Sequence, residues 1–190
     1  MRIIAGEWRG RKLVAPKNDN TRPTADRTRE TLFSMLASRV GSFDGLIVAD
    51  FFAGSGALGL EALSRGAEQC LFVEQDRDAL DALRRNLSSL GAAPRADVRA
   101  SSVMSLGPAQ RRFDLLLFDA PYGTGAANVA LDKLNRLGWI GPESLISIET
   151  GDKEEVAVRN FDVEVERRVG KAKLTLLRPS APAEPAGPSP

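Results

Sequence analysis

The stretch 46-LIVADFFAGSGALGLEALSRG-66 decides the fold. Leu46 to Ala49 form an apolar run without alternation that ends on Asp50, the pattern of a strand buried on both faces. "FFAGSG" (51–56) interrupts it as a turn, and 57–65 reads as a helix. Gly54-x-Gly56-x-x-Gly59 is weak as spacing alone, but here it follows a strand and opens a helix, the context the motif needs. Glycines at such a turn let the backbone touch a ligand and leave amides free at a helix N-terminus. The competing reading is a tight turn that binds nothing.

The pattern repeats downstream. "QCLFVE" (69–74) is a second buried strand ending in an acid, and 76–90 a helix with Leu80, Leu83, Leu87 and Leu90 in step, stopped by Gly91. "ADVRA" (96–100) is a weaker strand and "FDLLLFD" (113–119) a strong one, followed by a helix over 126–137 and a strand "SLISIE" (144–149). Apolar strands alternating with helices predict an α/β fold whose mostly parallel sheet is covered on both faces. "FDVEVERRVG" and "KAKLTLLRP" alternate with period two around Gly170, which predicts a closing antiparallel hairpin.

Upstream, residues 1–17 read as a short β-hairpin turning at "GEWRG", and Thr24 or Asp26 as the cap of a helix to about Arg39. The organisation expected is a basic hairpin extension (1–20), a main domain (21–178) and a disordered tail (179–190), where five of twelve residues are proline. Residues 1–30 carry eight basic and four acidic side chains, although the whole chain has a net charge of only +1. That patch suits a polyanion; a solvated surface hairpin explains it equally.

The chain has no histidine, which excludes Ser-His and Cys-His catalysis and imidazole metal sites. Cys70 is the sole cysteine, so no internal disulfide forms. No signal peptide or long apolar segment appears, and a cytoplasmic protein is expected.

Glu74 lies twenty positions after Gly54, where an acid can accept hydrogen bonds from both hydroxyls of a ribose. That points to a nucleoside-containing cofactor, either a dinucleotide or S-adenosylmethionine. Asp50 favours the second, because a carboxylate repels a pyrophosphate and attracts a cationic amino acid end and sulfonium. In doubly wound sheets ligands sit beyond the carboxyl ends of the strands, where 119-DAPYG-123 emerges. Asp119 and the Ala120 carbonyl can accept from an exocyclic amine, Pro121 restrains Ala120, and Tyr122 can stack on a base. An ordinary strand-ending turn is the alternative.

"RIIAGEWRGRKL", "RPTADRTRETLF", "DFFAGSGALGLEALSRGA", "VEQDRDAL" and "FDAPYG" resemble the RsmD family of bacterial 16S ribosomal RNA guanine-N2 methyltransferases, over residues 1–178. The resemblance implies a class I S-adenosylmethionine-dependent methyltransferase fold with a seven-stranded sheet, and a guanine of small-subunit rRNA as target. It implies that Gly54, Ser55 and Gly56 cradle the methionine part with Asp50 nearby, that Glu74 binds the ribose, and that Ser102 and Val103 face the adenine. It further implies that the segment of Arg22, Thr24 and Arg27 closes over the cofactor, and that Asp119, Ala120, Pro121 and Tyr122 form the catalytic corner.

The family usually has proline where this chain has Ala120, and Asp or Asn where it has Ser102. Arg2, Arg9, Arg11 and Lys12 are expected to meet RNA phosphates, with Trp8 either stacking on a base or packing on the domain. The expected partner is 16S rRNA in the small subunit, bound by a monomer without metal or membrane. Other readings are a DNA adenine-N6 methyltransferase, an NAD-dependent oxidoreductase, and an RNA-binding protein inactivated by Ala120.

Overall fold

In a computed structural model, which describes residues 1–16, 23–156 and 159–181, the run ending on Asp50 lies among the other runs of its kind. The elements are α1 (Pro23–Val40), β1 (Ile47–Phe51), α2 (Ala57–Ser64), β2 (Gln69–Glu74), α3 (Arg77–Leu90), β3 (Ala96–Ala100), β4 (Phe113–Asp119), α4 (Ala126–Arg136), β5 (Ile140–Gly151), β6 (Phe161–Val169) and β7 (Ala172–Pro179). They build one seven-stranded sheet in the order β3-β2-β1-β4-β5-β7-β6. The five strands from β3 to β5 are parallel, and β7 is antiparallel to both β5 and β6. The expected sheet and C-terminal hairpin are both present. β5 is longer than the segment 144–149 read from sequence.

Pleating sends alternate residues to opposite layers. Val48, Phe72, Leu115 and Leu117 face a core shared with Phe33 and Leu36 of α1, Leu60 and Leu63 of α2, and Leu83 of α3. Ala49, Phe51, Val73, Leu116 and Phe118 face the other core, with Ala130 and Leu134 of α4 and Trp139. Double-sided burial is why these strands read as unbroken apolar runs.

Helix caps follow local chemistry. Asp76 accepts the Ala79 amide at 2.9 Å to start α3, and Gly91 ends it in the left-handed region at φ 66°. α1 starts at Pro23, so Thr24 and Asp26 lie in its first turn instead of capping it. Proline suits that position because its missing amide would have no helical partner.

The N-terminal hairpin exists in minimal form, with one antiparallel bridge between Arg2 and Lys12. The amides of Ile4 and Ala5 go instead to the buried Glu61 carboxylate, at 2.8 and 3.0 Å. Trp8 N–H donates to Ser64 Oγ at 3.0 Å, while Ile3, Trp8 and Leu13 enter the α1–α3 core. At about 1.5–3 kcal/mol per buried large apolar side chain, these three hold the segment more firmly than its own ladder does. The segment is therefore docked on the main domain. Of the proline-rich tail, residues 182–190 lie outside the described residues.

Candidate active site

The turn after β1 has an unusual backbone. Phe52 has φ 63°, and Gly54 and Gly56 follow at 56° and 81°. A bulky residue rarely adopts a positive φ, and such strain gathers at binding sites. The three glycines differ in purpose. A Cβ on Gly54 would meet nothing within 4 Å, which leaves its backbone open to a ligand. One on Gly56 would strike Leu83 Cδ1 at 2.4 Å, and one on Gly59 would strike Phe72 Cε1 at 2.4 Å and Cys70 Sγ at 2.6 Å. Gly56 serves the close approach of α3 to the turn, and Gly59 that of α2 to the sheet.

Three side chains pin this turn. Glu74 accepts the Gly54 amide at 2.8 Å on one oxygen, and the Gln75 and Asp76 amides, each at 2.7 Å, on the other. Asp50 accepts the Gly59 amide at 2.9 Å. Asn86, fully buried on α3, donates to the Ser55 carbonyl at 3.0 Å. The same amide group exchanges bonds with Val14 of the N-terminal segment, at 2.7 and 2.9 Å.

Acids mark the carboxyl edge of the sheet. In spatial order β2, β1, β4 and β5 carry Glu74, Asp50, Asp119 and Glu149 at or close to their ends. Asp50 is 1% exposed, and among the described residues its Oδ1 has no hydrogen-bond partner. Burial pushes its carboxyl well above the usual range; the Gly59 amide opposes this, and the charges of Asp119 and Glu74 add to it. Asp119 and Glu149 are register partners on adjacent strands. The Tyr122 hydroxyl donates to Glu149, and Gly123 N–H donates to Glu154 at 2.6 Å. Burial, then the bond to Glu149, pushes the Tyr122 phenol upward and keeps it neutral.

A cavity of about 590 Å³ opens at this edge. Its wall brings together Glu74, Ser102, Val103, Asp119, Ala120, Pro121 and Tyr122, along with Phe52, Val73, Gln75, Asp76 and Ser101. Among the described residues, Glu74, Asp76 and Asp119 are its only charged lining residues, and these favour a cation and repel a pyrophosphate. Tyr122 is 47% exposed, which leaves its ring available to a planar ligand while its hydroxyl is anchored.

Seven residues singled out from sequence converge here. Gly54 joins the cavity through its bond to Glu74, and Ser55 and Gly56 belong to the same turn. Asp50 is sealed beneath the turn and is not part of the lining. Thr24 lies in the first turn of α1, and Arg22 falls outside the described residues. Arg27 lines a different cleft, with Arg167 and Arg168.

Of the two expected roles of Trp8, the ring is found in the packed one. Its ring is 6% exposed, with the Arg95 guanidinium 4.8 Å from its centre. A Trp in a run of polar and basic residues carries no periodicity to reveal its burial. The turn around it seats on the end of α2, which points to the amino edge, opposite the cavity. Arg2 and Arg11 donate to the carbonyls of Gly10 at 2.9 Å and Ser89 at 2.5 Å; Arg9 and Lys12 are exposed. Phe52 and Glu149 were not singled out; the acid ending "SLISIE" was a usable signal, as for Asp50 and Glu74.

The family model described as "Conserved hypothetical protein 95" matches residues 1–178. The chain is 36% identical to ribosomal RNA small subunit methyltransferase D of Escherichia coli K12, covering 97% of this chain and 92% of that protein. The chain belongs to the RsmD family. Another relative is ribosomal RNA small subunit methyltransferase D of Haemophilus influenzae, 38% identical, covering 94% of this chain and 93% of that one. Among solved structures, a putative methyltransferase of Escherichia coli superposes with a TM-score of 0.83 at 37% identity, over 96% of this chain and 99% of that one. The RsmD-family sheet described above is accordingly the class I methyltransferase fold.

Proposed function

We propose that this chain transfers a methyl group from S-adenosylmethionine to the exocyclic N2 amine of a guanine in 16S rRNA of the small ribosomal subunit. The observation that carries the reading is the shared cavity: the residues suited to a nucleoside and those suited to an amine line one acidic wall. The names of the relatives support ribosomal RNA as the substrate.

The residues fit the donor. Asp50 offers a buried carboxyl that a neighbouring cation would favour in its charged form and whose Oδ1 lacks a partner among the described residues, and Gly54 an open backbone. Glu74 would hold the ribose, Ser102 and Val103 the adenine edge, and Gly54 to Gly56 the methionine part. When bound, the donor supplies an electrophilic methyl on a sulfonium.

The chain's own residues then act on the acceptor. A guanine amine is a poor nucleophile because its lone pair is delocalised into the ring. Asp119 and the Ala120 carbonyl each accept one N–H and favour a pyramidal nitrogen. Tyr122 stacks on the base, worth about 1–3 kcal/mol, which requires the base to leave its helix. Orientation and fixed charge supply the rate gain, and no histidine base is needed because the alkylated nitrogen is acidic. Ala120 keeps the carbonyl, and Pro121 restrains it.

Incubation with small subunits lacking the modification and isotope-labelled donor, followed by mass spectrometry of the 16S rRNA, should locate label on one guanine N2. Asp119→Ala should lower turnover at least ~100-fold while S-adenosylhomocysteine binding changes little. Label on adenine, or undiminished turnover by the variant, would refute the assignment.

A further inference from the structure

The catalytic cavity is acidic, yet the substrate proposed for it is a polyanion. Something outside the cavity must hold the RNA strand against that repulsion. Arg11 sits toward the opposite edge of the sheet, where it donates to Ser89 near the end of α3. The hairpin of β6 and β7 does not.

β7 runs antiparallel to β5, with Gly151 opposite Ala172 and Glu149 opposite Leu174. The β6–β7 turn at Gly170 therefore lies at the same sheet edge as Glu149 and Asp119. α1 runs from that edge too, because it leads into the start of β1 at the far side. Between the first half of α1 and the hairpin tip is a cleft of about 340 Å³, lined by Arg27, Thr31, Arg167, Arg168, Val169 and Gly170. Lys171 follows Gly170 and is exposed, as are Arg27, Arg167 and Arg168.

Among the described residues, none of these four cations has an ion-pair partner. Asp26 pairs with Arg29 at 3.1 Å, and Glu166 with Lys173 at 3.6 Å. Glu30 is exposed and does not line the cleft. Three unpaired cations around a concave surface, with Lys171 close by in sequence, repel one another, an arrangement that bound anions relieve. Guanidinium forks match phosphate oxygens in pairs.

We propose that this cleft binds the phosphate backbone of the RNA strand beside the target nucleotide. This rests on the reading of the chain as an RNA methyltransferase. Contacts of this kind position the strand and carry no sequence information.

The test is binding of small ribosomal subunits across a salt series, with methyl transfer and S-adenosylhomocysteine binding measured in parallel. Arg167→Gln/Arg168→Gln should weaken subunit binding on the order of tenfold at moderate salt and flatten the slope of log K against log salt by roughly 0.7–0.9 per lost contact. Its affinity for S-adenosylhomocysteine should match wild type, which also certifies folding. Lys171→Gln should act in the same direction from the far side of the hairpin tip, and Arg167→Lys/Arg168→Lys should restore the slope. Wild-type affinity and slope in both glutamine variants would overturn the proposal, as would weakened binding with an unchanged slope. A wild-type protein that neither binds nor methylates subunits would instead bring down the functional reading itself.

Discussion

Asp50 is a charge that the folded chain does not accommodate well by itself. It is buried, one oxygen is unpartnered, and its neighbours across the sheet edge are also acids. An unsatisfied buried polar group costs about 1–3 kcal/mol, and more when charged. Asp50→Asn keeps the shape and the bond to Gly59. Without donor it should melt higher than wild type at neutral pH, by roughly 2–4 °C per kcal/mol gained. Burial raises the Asp50 pKa, so the wild type has this contribution in full below the ordinary carboxylate range and loses it as pH rises through the raised value. The advantage of the variant should therefore vanish near pH 4 and grow above it. Donor affinity, by calorimetry, should fall more than tenfold. Asp50 was legible in sequence because it ended an apolar run before the glycines; its burial beneath the turn was not, since that depends on which face α2 covers.

At the scale of elements, the glycine turn separates binding from stability. Gly59→Ala puts a Cβ against Phe72 and Cys70, and overpacking of this kind costs about 1–3 kcal/mol. Gly54→Ala meets no atom but strains a φ of 56° where the backbone should touch the donor. Gly59→Ala should thus show the larger loss in denaturant unfolding, and Gly54→Ala the larger loss of S-adenosylhomocysteine affinity. Equal effects on both measurements would contradict this division. The strands β1, β2 and β4 were legible within about a residue, because double burial writes them as unbroken apolar runs. β5 was read short because Gly141, Pro142 and Glu143 disguise its first turns of pleat. The N-terminal hairpin was overread: its alternating residues do pair, but Glu61 takes the amides of Ile4 and Ala5, and nothing local in "RIIAGEW" announces a buried acid 56 positions away.

For the whole molecule, the N-terminal segment is a part of the core. Trp8→Ala should cost about 3–5 kcal/mol, the usual loss for a buried Trp. Guanidinium unfolding should show this as a lower midpoint, while the salt slope of subunit binding at the hairpin tip stays as in wild type. A variant of normal stability that binds RNA poorly would restore the stacking role. The molecule is electrically divided despite its net charge of +1: acids collect on the ends of the parallel strands, and unpaired arginines on the antiparallel hairpin beside them.

Asn86 ties two distant stretches of backbone with a single carboxamide, Val14 on one side and Ser55 on the other. Any ligand that quiets the loop at Ser55 must also slow solvent-hydrogen replacement at the Val14 amide. Thermodynamic reciprocity then requires that loosening Val14 weaken the grip on that ligand by the same factor. On the proposed reading the N-terminal segment would thereby act as a remote tensioner of the donor's seat, and Asn86→Ala should cut the cord, leaving deuterium uptake at Val14 indifferent to ligand.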